Sequence, residues 1–330
     1  MAPQLVTASV IVEWYNMTHA ELGRAARMLS ELAAQAASLY EADEQARVRL
    51  AQPLDLVIAC ESKDGSSLQH VQSTLSGLTS AGAVVPRLLP IADSRYCSLK
   101  NAGAAASSGE IIIFLDSDVI PEPNWLAVLL ETFASPRVSV VVGNTYVDCA
   151  GPSAYPKAMA LTWMFPLRDP SNQLTPSTWF YANNVAFRRE AFLSRQFSDV
   201  AGLTHAAAKL LVERLQRDGV AIWNAGGARA SHPPPNGSIH FMMRAIAGGR
   251  ARAFLEPHPK AVNMMRWMQS DIGSVTWGCK QIVLNGSSVG LRWWQLPVAI
   301  VFPAAYYSLR YLGSLLSTLT PGLMRNRFDL

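Results

Sequence analysis

The run Gly109-Glu110-Ile111-Ile112-Ile113-Phe114-Leu115-Asp116-Ser117-Asp118 constrains this chain more than any other stretch. Five consecutive apolar residues lead straight into two carboxylates spaced by one serine. A fully apolar run after a glycine reads as a strand buried on both faces, as at the centre of a parallel sheet. Ligands of open α/β sheets sit just beyond the carboxyl ends of such strands. Asp116 and Asp118 therefore emerge where a ligand belongs, on one side of the strand if the chain stays extended. Two hard oxygen donors held together suit Mg2+ or Mn2+, and such an ion suits a diphosphate. The alternative is an acidic turn that merely caps a helix beginning near Pro121.

The rest of the chain supplies strands and helices in alternation, the pattern of a mainly parallel α/β sheet. Ala8 to Asn16 begins as a strand. Thr18 is an expected N-cap for a long helix whose apolar stripe is Leu22, Ala25, Leu29, Leu32, Ala36 and Leu39. Strands are expected at Leu54–Cys60 and Val84–Ile91, with a helix near Ser67 to Leu78 between them. A small-residue helix opens at Ser98 and feeds the central strand. Beyond Asp118, the pattern predicts a helix from Pro121 to Phe133 and a strand over Val138–Val142. Loops and short helices follow from Gly151 to Thr178, then a strand-like stretch from Trp179 into a charged helix start at Arg188-Arg189-Glu190. Further on come a helix over His205–Asp218 and two short strands, Ala221–Trp223 and Ala228–His232.

Composition narrows the class of protein. At 330 residues, with 50% hydrophobic and only 16% charged, the chain has ample core and is apolar for a soluble enzyme. The net charge of +4 is unevenly placed, with ten Lys/Arg against three Asp/Glu from Phe241 onward. That imbalance points to an anionic surface, and without a Lys/Arg-rich run or interleaved aromatic-basic motif it is not nucleic acid. Cys60, Cys97, Cys149 and Cys279 form no C-x-x-C pair and read as thiols in a reducing compartment. The N-terminus shows no basic region followed by a long apolar core, so no signal peptide is expected.

Five short motifs in order turn this pattern into a resemblance. Ser9-Val10-Ile11-Val12-Glu13-Trp14-Tyr15-Asn16, Lys100-Asn101-Ala102-Gly103 and Phe114-Leu115-Asp116-Ser117-Asp118 come first. Asn184-Val185-Ala186-Phe187-Arg188-Arg189-Glu190 follows, and then Arg214-Leu215-Gln216-Arg217-Asp218-Gly219 with Ala228-Arg229-Ala230-Ser231-His232. Together they resemble the family 2 glycosyltransferases, inverting enzymes with the GT-A fold and a metal-binding D-x-D, over roughly residues 8 to 250. The resemblance implies a GT-A domain over 1–238, with a nucleotide-binding half (1–120) and an acceptor half (121–238). It implies a nucleotide-diphosphate sugar as donor, Mg2+ or Mn2+, and a glycan or lipid-linked acceptor. Glu13, Tyr15, Glu61 and Asn184 fall in the donor-binding set, and Lys100 near the diphosphate as a point charge. Asp116 falls at the ribose and metal-bound water, Asp118 on the metal, and His232 at the metal or diphosphate. Other roles stay open: Glu61 as a helix cap, Lys100 as a solvated helix residue, His232 as a buried hydrogen-bonded histidine. Asn183 and Asn184 equally read as turn formers, and Arg188 and Arg189 as partners of surface acids.

Two departures matter. Glu13 replaces the family's usual proline, and the helix that should open with an E-D pair carries Ala207-Ala208 instead. Inversion needs a carboxylate or equivalent to take the acceptor's proton, so His205 or Asp199 must supply it. Otherwise the chain is an impaired sugar-nucleotide-binding scaffold of an envelope assembly complex. A nucleotidyltransferase would show a Gly-rich basic loop after the first strand, which Glu13-Trp14-Tyr15-Asn16 lacks.

Residues 239–330 read as a basic, helical, membrane-associating region. Leu296 to Leu319 is long enough to span a bilayer. Arg310 within it would cost at least ~2.5 kcal/mol at mid-bilayer, and Pro297 and Pro303 interrupt it. A re-entrant or in-plane helix at the cytoplasmic face of the membrane is therefore expected, with a single span and a plain core helix as the alternatives. Trp293, Trp294, Tyr306 and Tyr307 suit the headgroup level.

Overall fold

The computed structural model describes residues 3–14, 22–61, 69, 72–76, 82–92, 95–198, 204–256 and 260–321, with backbone alone at 204–205 and 260–262. The expected N-cap Thr18 and the ends of the expected helix near Ser67 to Leu78 lie outside these residues.

In chain order the first elements are β1 (Gln4–Val6), β2 (Ala8–Glu13), α1 (Leu22–Tyr40), β3 (Val48–Leu50), β4 (Leu54–Glu61), β5 (Val84–Ile91), α2 (Tyr96–Ala106) and β6 (Ile111–Asp116). There follow β7 (Ile120–Pro121), α3 (Trp125–Thr132), β8 (Val140–Val147), α4 (Ala154–Thr162), β9 (Leu174–Ser177), β10 (Asn184–Arg188) and α5 (Arg189–Leu193). The chain continues through α6 (Thr204–Arg217), β11 (Ile222–His232), α7 (Gly237–Leu255), α8 (Lys260–Asn285) and α9 (Leu296–Leu319).

The large sheet runs β5-β4-β2-β6-β10-β8-β11-β7, with β9 on β11. Its first four strands are parallel, and β10 then pairs antiparallel with both β6 and β8. Every residue of β2 and β6 is buried, as strands covered on both faces require. Alternation divides their side chains. Val10, Val12, Ile111, Ile113 and Leu115 join a core with Ala25, Met28, Leu29 and Leu32 of α1 and Trp125, Leu126 and Leu129 of α3. Ile11 points the other way, against Gly103 of α2. On that second face Phe114 packs with Phe187, Phe192 and Phe197.

Several local expectations are corrected. Leu22 is exposed, and Met28 takes its place in the α1 stripe. Pro121 does not start a helix: it pairs with Ala230 in a short antiparallel bridge, and α3 begins at Trp125. The two late strands are one eleven-residue strand, β11, because the small residues Ala225 to Ala228 between them continue extended under burial. The strand expected over Val138–Val142 starts later and runs to Val147.

Two compact units emerge. One comprises Met1–Thr145, Arg168–Asp199 and Ala208–His232; the other Tyr146–Leu167, Val200–Ala207 and Pro233–Leu330. The second is helical. Its core joins Ala158 and Leu161 of α4, Ile282 of α8, Leu291, and Ala299 of α9. Helices α7 and α9 cross at backbone contact: a Cβ at Gly249 would strike the Arg310 carbonyl, and one at Gly313 the Ile246 carbonyl. Only glycine permits so close a crossing. Among the described residues no helix is long and apolar enough to cross a membrane. Arg310 is not a misplaced charge in a span, because its Nε donates to Asp271 of α8 at 2.8 Å.

Candidate active site

The carboxyl ends of the parallel strands gather the acidic residues. Glu13 closes β2 and pairs in register with Asp116 at the end of β6, while Glu61 closes β4. Glu13 and Asp116 are buried, and Glu61 is partly exposed. Beyond Asp116 the chain turns, with the Val119 N–H donating to the Asp116 carbonyl at 3.1 Å. This turn carries Asp118 toward the end of β11, where His232 Nε2 lies 3.9 Å from Asp118 Oδ1. Both side chains are buried.

Asp116 is held from α2. Lys100 Nζ donates to Asp116 Oδ1 at 2.6 Å, and Tyr96 OH donates to the same oxygen at 2.9 Å and to Oδ2 at 3.0 Å. Tyr96 and Lys100 stand one turn apart on the helix, so both reach one point. Lys100 is fully buried, with its ammonium 4.7 Å from the Tyr96 ring centroid and 5.5 Å from that of Phe114. A buried cation is tolerated because a carboxylate and two aromatic faces replace water. Burial, then the negative charges of Asp116 and Glu13, push the Tyr96 phenol well above its usual range. It therefore stays a donor to Asp116 at any working pH.

The Asp118 turn is anchored from α1. Arg24 Nε donates to the Asp118 carbonyl at 2.6 Å, and Arg24 Nη2 donates to the Ser231 carbonyl at 2.8 Å and to its hydroxyl at 3.0 Å. One guanidinium thus ties together the residues that carry Asp118 and His232. The planar fork suits this task.

The expected site residues fall into distinct places. Glu13, Asp116, Asp118 and His232 lie at these strand ends. Lys100 is no solvated helix residue: its charge is directed at Asp116, with no exposed surface toward a ligand. Asn184 is fully buried, accepting from Trp125 Nε1 at 2.9 Å and donating to the Ala228 carbonyl at 3.3 Å. Asn183 accepts from Thr145 Oγ1 at 3.3 Å, and its carbonyl receives the Asp116 N–H. Arg188 and Arg189 do not pair with surface acids. Arg188 donates to the carbonyls of Val138, Phe133 and Ser135, and Arg189 to Gly109 carbonyl and Ser107 Oγ. Ala207 and Ala208 are buried. Tyr15 and Asp199 lie outside the described residues, as does the side chain of His205, whose backbone belongs to α6. Tyr96 and Arg24 were not anticipated. The spacing of Tyr96 to Lys100 was a usable signal, whereas nothing in the sequence distinguishes Arg24 from other arginines on amphipathic helices.

These residues fit a divalent cation on donor chemistry. Asp118 and His232 offer one hard oxygen and one imidazole nitrogen, close together and buried. The oxygens of Asp116 receive Lys100 and Tyr96, and Asp118 and His232 approach to 3.9 Å beyond it. Among the described residues no three His, Cys, Asp or Glu side chains form a metal cluster.

Residues 93–195 match the model of Glycosyl transferase family 2. A glucosyl-dolichyl phosphate glucuronosyltransferase of Haloferax volcanii is 25% identical over 97 residues, which is 28% of this chain and 31% of that relative. The match thus spans about a third of the relative's length. The structure of mannosyltransferase PcManGT from Pyrobaculum calidifontis, in complex with GDP-Man and Mn2+, superposes with a TM-score of 0.52 at 15% identity. It covers 98% of this chain and 90% of the other. At that identity the likeness concerns the fold. Residues 93–195 are thus similar to glycosyl transferase family 2, and the sheet order with its parallel strands ending in acids is that of a GT-A fold.

Proposed function

We propose that this chain transfers a sugar from a nucleotide-diphosphate donor to a glycan or lipid-linked acceptor, inverting the anomeric carbon. The observation that carries the reading is the approach of Asp118 and His232 beside Asp116 at the carboxyl ends of β6 and β11. A divalent cation held by Asp118 and His232 would supply positive charge for the departing diphosphate, the largest electrostatic demand of such a transfer. The GDP-Man and Mn2+ of the Pyrobaculum complex and the dolichyl-phosphate-linked acceptor in the name of the Haloferax relative support the donor and acceptor classes.

In the reaction the acceptor oxygen bonds to the anomeric carbon as the bond to the diphosphate oxygen breaks, and the acceptor's proton goes to a base. Ala207 and Ala208 offer none, so His205 or Asp199 takes that role. Asp116, fixed by Lys100 and Tyr96, orients the donor's ribose.

The test is release of nucleoside diphosphate by purified protein with Mn2+ over UDP- and GDP-sugars, in the presence of lipid-linked and free glycan acceptors. Turnover lost in Asp118→Ala but retained in Leu5→Glu, at an exposed residue of β1, supports the reading. Loss of turnover with retained donor binding in His205→Ala or Asp199→Ala identifies the base. Donor binding without turnover under every condition would favour a sugar-nucleotide-binding scaffold, which the buried Ala207-Ala208 pair alone recommends. Failure to bind any sugar nucleotide would overturn both.

A further inference from the structure

Helix α8 turns an apolar face to solvent. Met265, Met268, Ile272 and Val283 are exposed and recur at i, i+3, i+7 and i+18, one stripe of the helix, while Trp277 and Leu284 are exposed roughly a quarter to a third of a turn away. Ile272 is 58% exposed and Met265 61%. The short turn that follows adds Trp293 at 79% and Trp294 at 52% exposure, and the first turns of α9 add Val298 and Val301. Soluble surfaces scatter such residues singly, and continuous patches mark interaction sites.

The charges on this part of the chain have one sign. Arg266, Lys280 and Arg292 are exposed. Between residues 260 and 321 the sequence holds one carboxylate, Asp271, and it is buried against Arg252 and Arg310. An apolar stripe with cations and no exposed anion on α8 itself matches an anionic bilayer, where aromatic rings and methionines enter the headgroup boundary and basic side chains meet lipid phosphates. The exposed Glu256 before α8 accepts from Trp267 Nε1, on the side of the helix away from Met265. A second copy of the chain fits less well, because a two-fold contact would set these cations against their equals.

We propose that the exposed face of α8, continued by Trp293 and Trp294, is a docking surface for an anionic lipid bilayer, lying in the membrane plane. The sequence suggested α9 for such a role. We assign it chiefly to α8, since α9 spends much of its surface on α7, α8 and α4.

Flotation of the full chain with vesicles of phosphatidylcholine, with and without phosphatidylglycerol, tests this without any sugar donor. Its failure therefore leaves the transferase reading standing. Binding is expected to the anionic vesicles, with a blue shift of tryptophan fluorescence. It should weaken as salt rises, and each basic residue removed should weaken it roughly fivefold. Met268→Glu/Ile272→Glu and Trp293→Ala/Trp294→Ala should abolish flotation with unchanged far-UV circular dichroism. Leu5→Glu, a change at an exposed residue of β1, should leave flotation intact. No binding to anionic vesicles, or full binding by Met268→Glu/Ile272→Glu, would overturn the proposal. So would a concentration-dependent dimer in light scattering that Ile272→Glu dissociates without changing flotation.

Discussion

A lysine without exposed surface survives in a core only when its charge is met, and Lys100 meets it in Asp116. The pair is strong in one sense and a liability in another. Replacing both partners by apolar residues can be nearly neutral, whereas removing one leaves a bare buried charge. Lys100→Met should therefore cost about 3–5 kcal/mol, read as a fall in urea midpoint, and abolish turnover by displacing Asp116. Tyr96→Phe keeps the ring under the ammonium and removes one hydrogen bond to a charged acceptor, about 1.5 kcal/mol. The variant should fold, with donor affinity more affected than stability. If Lys100→Met unfolds at the wild-type urea concentration, the buried ion pair is not what holds the strand end. The placement of Asp116 at the end of a buried strand was legible in the sequence, because a continuous apolar run leading into carboxylates reads as a central strand. Their partners were not. A helix face in sequence shows which residues share a side, but what lies opposite is decided by the sheet.

At the level of elements, two anchors set the ends of the sheet. Near the amino ends, Asp55 of β4 accepts from Ser9 Oγ at 2.7 Å, from Arg87 Nε and Nη2 at 2.9 and 2.7 Å, and from the Ser108 N–H at 2.8 Å. Burial works against its charge, yet the hydrogen bonds from Ser9, Arg87 and Ser108 hold the carboxyl below its ordinary range. A folded value below the unfolded one means stability present above about pH 3.9 and lost as pH falls through the folded value. The urea-midpoint gap between wild type and Asp55→Asn should accordingly shrink on acidification below that point. A gap that stays constant to the acid limit would refute the assignment. At the carboxyl ends, Arg24 joins α1 to the Asp118 turn and to β11. Arg24→Lys keeps charge but loses the fork, so Mn2+ affinity measured by calorimetry should drop about tenfold or more, the range typical of lost outer-shell support. Far-UV circular dichroism should not change. A purely structural arginine would lower stability and leave Mn2+ affinity alone.

On the scale of the whole molecule, the elements of the parallel half of the sheet were readable from strand-helix alternation along the chain, although not their order, since β2 lies beside β6 from far along the sequence. The antiparallel half was not. β10 inserts between β6 and β8, and β11 pairs with β7 and β9, from segments distant in sequence. Pro121 and the small residues of β11 gave signals that tertiary pairing overrode. The helical unit shows the same limit: Arg310 looked like an obstacle to a membrane helix, and the structure shows its reason. Asp271 of α8 receives Arg252 of α7 at 3.0 and 2.8 Å, and Arg310 of α9 through Nε and Nη2. Arg252 and Ser314 Oγ add a bond at 2.8 Å, and the same hydroxyl donates to the Gly249 carbonyl at 3.0 Å. One carboxylate thus fastens three helices and balances only one of two guanidinium charges. The arrangement predicts an asymmetry. Asp271→Asn strands both arginines in a mostly buried place and should destabilise by about 3–5 kcal/mol. Arg310→Met leaves Asp271 with the bidentate Arg252 and replaces a charged stem by an apolar one of similar length, so it should cost far less. Thermal denaturation of the two variants side by side decides the matter, since equal losses would mean that the three helices are held by their glycine crossing and apolar packing, with the ion triad contributing little.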